Sequence, residues 1–193
     1  MDRKALLSIL RSYGHKRLEL EFRLGHKLGA KFVPGVSEAA WNTLKAVLED
    51  SPDFEAVITN TRELICDDGS KYVIPEDGAP YWMHKKRLCD FDADTESAWC
   101  CRTSASLEEE SHRPAPTRHK FERCKHRWSY LHKCWSVDLT RVTSNLPHQL
   151  DNDSISYEIE IELKDTTELF ARPADHLLEW GTSMTNDLCK LMA

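Results

Sequence analysis

The chain has 193 residues and a formal net charge of −6, and 40% of its residues are hydrophobic and 30% charged. This composition is typical of a folded globular protein, and its acidic balance excludes a general nucleic-acid coat protein, which needs a basic surface. No apolar run approaches the roughly 18 residues that span a membrane, so we expect no membrane partner. We also expect a single domain over residues 1–193.

The predicted elements begin with a short helix over residues 2–13 and a strand over 17–25. The sequence SEAAWNTLKAVLED then predicts a helix, because its apolar residues recur at helical spacing, Ser37 is a favourable N-cap and Pro52 follows its end. Residues 173–192 again predict a helix, with an interruption near Gly181. The segments between have strand character and are separated by turn sequences such as CDDGSK and PEDGAP; they are 55–66, 70–74, 81–91, 97–108, 118–132, 134–144 and 155–164.

Eight strands that follow one another through short turns imply an antiparallel sheet or barrel. The expected fold class is therefore α+β and mainly β, with helices flanking the strands. The sequence contains no repeat of solenoid period and no linker long enough to divide the chain into two domains.

Most of these strands carry polar or charged residues at every second position, which places those residues on one face of the strand. In SYEIEIELK, for example, Glu158, Glu160 and Glu162 alternate with isoleucines. The same alternation gives the charged faces Arg17, Glu19, Glu21 and Arg23; Lys85 and Arg87; Arg102, Ser104, Ser106 and Glu108; Arg123, Lys125, Arg127 and Ser129; and Ser136, Asp138 and Thr140.

A single strand with a charged face is usually half-buried, with that face in water. Six such strands are harder to explain in this way, because neighbouring like charges such as those of Glu158, Glu160 and Glu162 are unfavourable. A closed barrel resolves the conflict if the charged faces point into the lumen and the apolar faces point outward beneath the helices. Most small barrels fill their interior with packed side chains, so a charged lumen here predicts that the interior of the barrel is the functional site.

The residue types in this lumen suit a metal-bound polyphosphate. Carboxylate oxygens prefer hard cations such as Mg²⁺ or Mn²⁺, and arginine and lysine bind the oxygens of phosphate. Phosphoryl transfer needs mainly positioning, charge neutralisation and an oriented water. The chain has no GxxxxGK[ST], GxSxG or HExxH motif, which excludes P-loop enzymes and the common serine and zinc hydrolases.

Three stretches resemble the metal-dependent RNA triphosphatases of fungi, protozoa and large DNA viruses, and the short chain is most similar to the small enzymes of algal DNA viruses. ELEFRLG is similar to the family's first ExE strand, KHRWSY with VDLTRV to its paired basic and DxT strands, and YEIEIEL to its closing strand. The resemblance covers about residues 15 to 165. It implies an eight-stranded antiparallel triphosphate tunnel that removes the γ-phosphate from 5′-triphosphate RNA during mRNA capping and also cleaves nucleoside triphosphates.

The resemblance also implies a role for each matching residue. Glu19, Glu21 and Glu162 would hold the metal, Mg²⁺ or Mn²⁺, and Glu160 with Glu108 would orient the attacking water. Asp138, Thr140, Arg23 and Glu158 would orient their neighbours. The phosphates would be held by Lys85, Arg87, Arg102, Lys125, Arg127, Arg123 and, as a weaker candidate, Arg62, and of these Lys125 and Arg127 are also expected to be catalytic.

One departure from the fungal pattern is Ser136, where fungal relatives carry an arginine two positions before the aspartate of DxT. Arg123 is the neighbouring cation expected to replace it, which leaves the register of the basic strand open by two residues.

The expected ligands are the 5′-triphosphate end of RNA, nucleoside triphosphates and tripolyphosphate. We expect a monomer whose guanylyltransferase is a separate protein, in an intracellular compartment (the infected host cell if the chain is viral), either nuclear or cytoplasmic. The alternatives are an inorganic tripolyphosphatase of the same fold, a non-catalytic RNA-binding module that uses residues 113–133, and, less favoured, a glycosidase with paired carboxylates.

The seven cysteines are odd in number and include no CxxC pair, which favours a reducing compartment. Cys124, His126, His132 and Cys134 lie close enough in sequence to consider a zinc site, but their spacing matches no known finger pattern. We therefore expect them to be outward-facing residues of a hairpin.

Overall fold

A computed structural model describes residues 3–13, 18–95, 97–145 and 154–192. The helices are α1 (Arg3–Ser12), α2 (Glu38–Asp50), α3 (Glu168–Ala171) and α4 (Ala174–Leu191). The Ser37 side chain accepts a hydrogen bond from the backbone N–H of Ala40, which confirms the predicted N-cap of α2. Among the described helices, none is both long and apolar enough to cross a membrane.

Nine strands form one antiparallel sheet: β1 (Leu18–Leu28), β2 (Lys31–Pro34), β3 (Glu55–Ile65), β4 (Lys71–Pro75), β5 (Tyr81–Asp94), β6 (Cys100–Ser111), β7 (Phe121–His132), β8 (Trp135–Asn145) and β9 (Ser154–Leu163). The strand order is β2-β1-β6-β5-β4-β3-β7-β8-β9, and β1 also pairs with β9. This last pairing closes eight strands into a barrel, as predicted. The short strand β2, which the sequence analysis missed, extends β1 as a hairpin outside the closed ring.

The barrel has its apolar side chains on the outside, beneath the helices. Leu20, Phe22, Ile159 and Ile161 are buried in one cluster with Leu44 of α2, and α4 adds its own apolar residues to the cluster. The alternating charged residues of the same strands, such as Glu21 and Glu160, point to the interior of the barrel. The predicted arrangement of faces is therefore confirmed for β1 and β9.

The predicted interruption of the last helix near Gly181 is wrong, because α4 continues through this position. The helix crosses β1 here, and a Cβ atom on Gly181 would lie 2.3 Å from the ring of Phe22. Glycine therefore serves close packing of the helix on the barrel, and its low helix propensity is outweighed by the tertiary contact.

Strand β5 is longer than predicted and contains a bulge between Arg87 and Cys89. The extra residue shifts the alternation, so that Arg87 before the bulge and Asp90 after it lie on the same side of the strand. Arg87 donates to Asp90 at 3.2 Å. The bulge could not be predicted from the alternating pattern alone.

The outer core gives the first testable prediction. Ile161 is 1% exposed and belongs to the apolar cluster, so Ile161→Ala should lower the free energy of unfolding by about 2–5 kcal/mol. Chemical denaturation measures this change, with Ile155→Ala as the control because Ile155 lies on the same strand and is 49% exposed. Equal losses for both variants would contradict the inside-out arrangement of the barrel.

Candidate functional site

The interior of the barrel contains a cavity of about 490 Å³. Of the described residues that line it, nine are acidic and six are cationic. The acidic residues are Glu19, Glu21, Glu63, Glu76, Asp77, Glu108, Glu110, Glu160 and Glu162, and the cations are Arg23, Lys71, Lys85, Lys125, Arg127 and Lys164. The sequence prediction of a lumen that combines carboxylates with cations agrees with this lining.

On one side of the cavity, three carboxylates surround the ammonium group of Lys85. The Nζ atom of Lys85 forms an ion pair with Glu19 and lies 3.2 Å from Glu21 and 3.6 Å from Glu108. Burial and the nearby charge of Glu21 raise the pKa of Glu19 to about 8. Burial opposes the charge of Lys85, but Glu21 and Glu19 outweigh it and raise the pKa of the ammonium. This acidic side of the cavity therefore attracts positive charge.

Glu160 lies at the centre of the site between two arginines. One of its oxygens pairs with Arg23 and the other accepts a hydrogen bond from Arg127 at 3.1 Å. Burial alone would raise the pKa of Glu160, but Arg23 and Arg127 outweigh the burial and lower it. Glu160 is therefore an ionised carboxylate in the interior of the barrel.

Arg127 is held by three neighbours, which fixes the plane of its guanidinium group. It donates to Thr140 Oγ1 at 3.0 Å, to Asp138 Oδ2 at 2.9 Å and to Glu160 at 3.1 Å. Asp138 also accepts a hydrogen bond from Ser136. The cross-strand pairs Arg127–Thr140 and Ser129–Asp138 resolve the register that the sequence left open, since Arg127 is the cation that contacts both residues of DxT.

A second group of cations lies on the wall formed by β3, β4 and β7. Lys125 Nζ contacts Glu63 at 2.8 Å, and Lys71 also lines the cavity. Burial opposes the charge of Glu63, but Lys125 and Lys71 lower its pKa. Burial lowers the pKa of Lys71 itself. The carboxylate of Glu63 thus fixes Lys125 on this wall and lies close enough to Lys71 for their charges to interact.

Four predicted phosphate-binding residues are placed differently. Arg62 is exposed and pairs with Glu122 on the outer wall at 2.5 Å. Arg102 forms two hydrogen bonds with Asp92, at 2.7 and 2.8 Å, and Arg123 donates to Glu158 at 3.0 Å. Within the part of the chain that the structure describes, the cavity lining includes none of Arg62, Arg87, Arg102 and Arg123.

Six charged residues that line the cavity were not predicted from the sequence: Glu63, Lys71, Glu76, Asp77, Glu110 and Lys164. Two of them follow the same alternation as residues that were predicted. Lys164 continues the series of Glu158, Glu160 and Glu162, and Glu110 lies two positions after Glu108. A stricter use of the period-two pattern to the end of each strand would have found both.

The cavity contains carboxylates that suit a divalent cation, but the described carboxylates are not arranged as a complete coordination site. Among the residues that the structure describes, no three His, Cys, Asp or Glu side chains are grouped so as to hold a metal. Glu21 and Glu162 are nevertheless direct cross-strand partners, and Glu19 shares the ammonium of Lys85 with Glu21. Carboxylate oxygens that converge on a cation are the ligand type that Mg²⁺ and Mn²⁺ prefer, so the residues fit such an ion.

The closed barrel and the lining of its cavity define the class of β-barrel enzymes that process phosphate chains inside a charged tunnel. The family model described as "mRNA capping enzyme, beta chain" matches residues 81–177, which is half of the chain. The chain belongs to this family. It is also 29% identical, over 186 residues, to the 5′ RNA triphosphatase of Paramecium bursaria Chlorella virus 1, with 96% of this chain and 95% of that protein covered.

Solved structures with the same fold include two RNA triphosphatases. The enzyme of S. pombe superposes with a TM-score of 0.80 at 18% identity and covers 96% of this chain and 91% of its own. The Mimivirus capping enzyme triphosphatase superposes with a TM-score of 0.63 at 14% identity and covers 100% and 98%. At these identities the likeness establishes the fold alone.

Proposed function

We propose that the chain hydrolyses the γ-phosphate of 5′-triphosphate RNA, giving 5′-diphosphate RNA and inorganic phosphate in mRNA capping. The observation that carries this proposal is the cavity, in which a group of carboxylates faces a row of fixed cations formed by Lys125 and Arg127. Family membership and the viral relative support the same activity.

The cations of the row are suited to bind a chain of phosphates. Arg127 is fixed by Asp138 and Thr140, and Lys125 by Glu63, so their donors are positioned before substrate arrives. Preorganised donors of this kind stabilise charge that develops during phosphoryl transfer. We assign phosphate binding to Arg127, Lys125 and Lys85, and we retain Asp138 and Thr140 as the residues that orient Arg127.

The excess of carboxylates over cations in the lining indicates that a divalent cation accompanies the substrate. A triphosphate is itself strongly negative, and the described lining is already acidic, so binding needs additional positive charge. Glu19, Glu21 and Glu162 would hold Mg²⁺ or Mn²⁺, which would neutralise charge on the phosphate oxygens. The ammonium of Lys85 would then leave these carboxylates and become available to the phosphates.

The reaction itself is the attack of water on the γ-phosphorus. The bond between this phosphorus and the oxygen bridging to the β-phosphate breaks, and the bridging oxygen remains with the diphosphate product. We assign Glu160 to orient the water, together with Glu108, because an ionised carboxylate accepts a hydrogen bond from water. Arg23 and Arg127 keep Glu160 ionised through the ion pairs described above.

Tripolyphosphate provides a direct test of recognition through the phosphates. It has the same run of phosphates as the RNA end and lacks the nucleoside, so with Mn²⁺ present it should compete with RNA and raise the melting temperature by mass action. Monophosphate should do so far less, because it shares fewer oxygens among the donors. Release of labelled γ-phosphate from RNA, with and without metal, measures the activity itself.

The result distinguishes the proposal from its rivals. Phosphate release from tripolyphosphate but not from RNA would favour an inorganic tripolyphosphatase. RNA binding without phosphate release, unaffected by millimolar tripolyphosphate, would favour a non-catalytic RNA-binding module. We expect nucleoside triphosphates to be cleaved to diphosphates as well, because the proposed contacts are to the phosphates. We also propose that the chain acts as an intracellular monomer.

A further inference from the structure

Lys164 lies at the mouth of the cavity and has a fixed backbone but a movable side chain. It directly follows the last residue of β9, and its backbone N–H donates to the carbonyl of Cys134 at 2.8 Å. The alternation of β9 turns it to the same side as Glu162 and Glu160, and its side chain lines the cavity. The side chain is 40% exposed, so its ammonium can move without unfolding the strand.

The contacts of Lys164 place its charge next to that of Arg127. Lys164 Nζ lies 2.7 Å from Glu162 Oε2 and 4.0 Å from Asp138 Oδ2. The same oxygen of Asp138 accepts the hydrogen bond from Arg127 at 2.9 Å. Lys164 therefore extends the row of cations formed by Lys125 and Arg127 toward the mouth of the cavity.

The two carboxylates near Lys164 have other partners. Asp138 is bound by Ser136 and Arg127, so it does not depend on the longer contact with Lys164. Glu162 is paired across the strands with Glu21 and belongs to the group that fits a divalent cation. A cation bound there would compete with Lys164 for Glu162 and would leave the ammonium facing the cavity.

We propose that Lys164 binds the phosphate chain of the substrate at the mouth of the cavity, a role that rests on the proposed function. In the structure its ammonium forms an ion pair with Glu162. A divalent cation held by Glu162 and its neighbours would release this ammonium, and Lys164 would then contact a phosphate oxygen. Lys164 is thus a substrate-binding residue that also competes with the metal.

The test measures two binding constants for Lys164→Met, which removes the charge and keeps most of the length. Tripolyphosphate affinity in the presence of Mn²⁺, measured by calorimetry, should fall by at least about tenfold, because one charge-assisted contact is lost. Mn²⁺ affinity without tripolyphosphate should stay the same or increase, because a competing ammonium is gone. Lys86→Met is the matched control, since Lys86 is exposed on the outer side of β5.

A loss of tripolyphosphate affinity without a loss of Mn²⁺ affinity separates substrate binding from a structural role. A structural role for Lys164 would weaken both ligands together, and that outcome overturns the inference. Tripolyphosphate affinity within twofold of the unmodified chain also overturns it. Lys164→Arg keeps the charge and should retain most of the affinity. Failure of the unmodified chain to release phosphate from RNA would instead contradict the proposed function, whatever Lys164 binds.

Discussion

Arg127→Ala is expected to reduce phosphate release by about 10²–10³-fold, the usual cost of removing one preorganised donor at a reacting centre. The guanidinium group of Arg127 contacts Thr140, Asp138 and Glu160 at once, so it both presents a fixed charge to the phosphates and holds the neighbouring carboxylates. Single-turnover release of γ-phosphate from 5′-triphosphate RNA measures the loss.

Two further variants make this prediction specific. Arg127→Lys keeps the charge but loses the planar fork of donors, so it should impair activity less than Arg127→Ala. Arg141→Ala is the control, because Arg141 is exposed on the outer side of β8 and should leave phosphate release unchanged. A melting temperature is needed for each variant, since Arg127→Ala removes one cationic partner from each of the buried carboxylates Asp138 and Glu160. Near-normal activity of a folded Arg127→Ala protein would refute the assignment.

Glu21→Gln is expected to have an effect of similar size, at least about a hundredfold in phosphate release. The change keeps the size of the side chain and removes its charge. Glu21 is 3% exposed and lies between Lys85, Arg23 and Glu162. At this position its carboxylate oxygens would be ligands of the divalent cation. Because the metal should bind more weakly, raising the Mn²⁺ concentration should restore part of the activity.

The metal titration separates this role from a general loss of structure. Glu49→Gln is the matched control, since Glu49 is on the surface of α2, where it pairs with Lys45. Activity of Glu21→Gln that equals that of Glu49→Gln at every Mn²⁺ concentration would remove Glu21 from the metal ligands. Loss of activity with unchanged Mn²⁺ affinity would assign Glu21 to the substrate instead.

Alternation in the sequence was enough to predict which residues face the interior. Glu19, Glu21, Lys85, Lys125 and Glu160 all lie in the cavity, because a period of two leaves little choice once one face must be buried beneath helices. The same alternation correctly predicts that Ile159 and Ile161 belong to the outer core. Closure of the barrel could be inferred from the charges, since the carboxylates of β9 gain partners only when β1 and β7 approach them.

Position along the tunnel could not be predicted in this way. Arg102 has the predicted parity, yet it binds Asp92, and the sequence gives no measure of how strands are staggered around a barrel. Arg87 is drawn to Asp90 by the bulge in β5. The low helix propensity of Gly181 predicted a break in the helix, because propensity depends on the local sequence alone. The contact of Gly181 with Phe22 depends on the tertiary structure, which the local sequence does not show.

The pairing of β1 with β9 joins the first and the last strand in sequence order, and this affects how the barrel folds. Glu21 and Glu162 become neighbours only when that pairing forms, so a chain still emerging from the ribosome has no complete site until its last strand is made. Contacts so distant in sequence form slowly, because the loop between them must be closed first. On refolding from denaturant, phosphate release should therefore recover with the slowest structural phase, later than the hairpin of β7 and β8. Activity should therefore appear only after the last strand of the barrel has paired with the first.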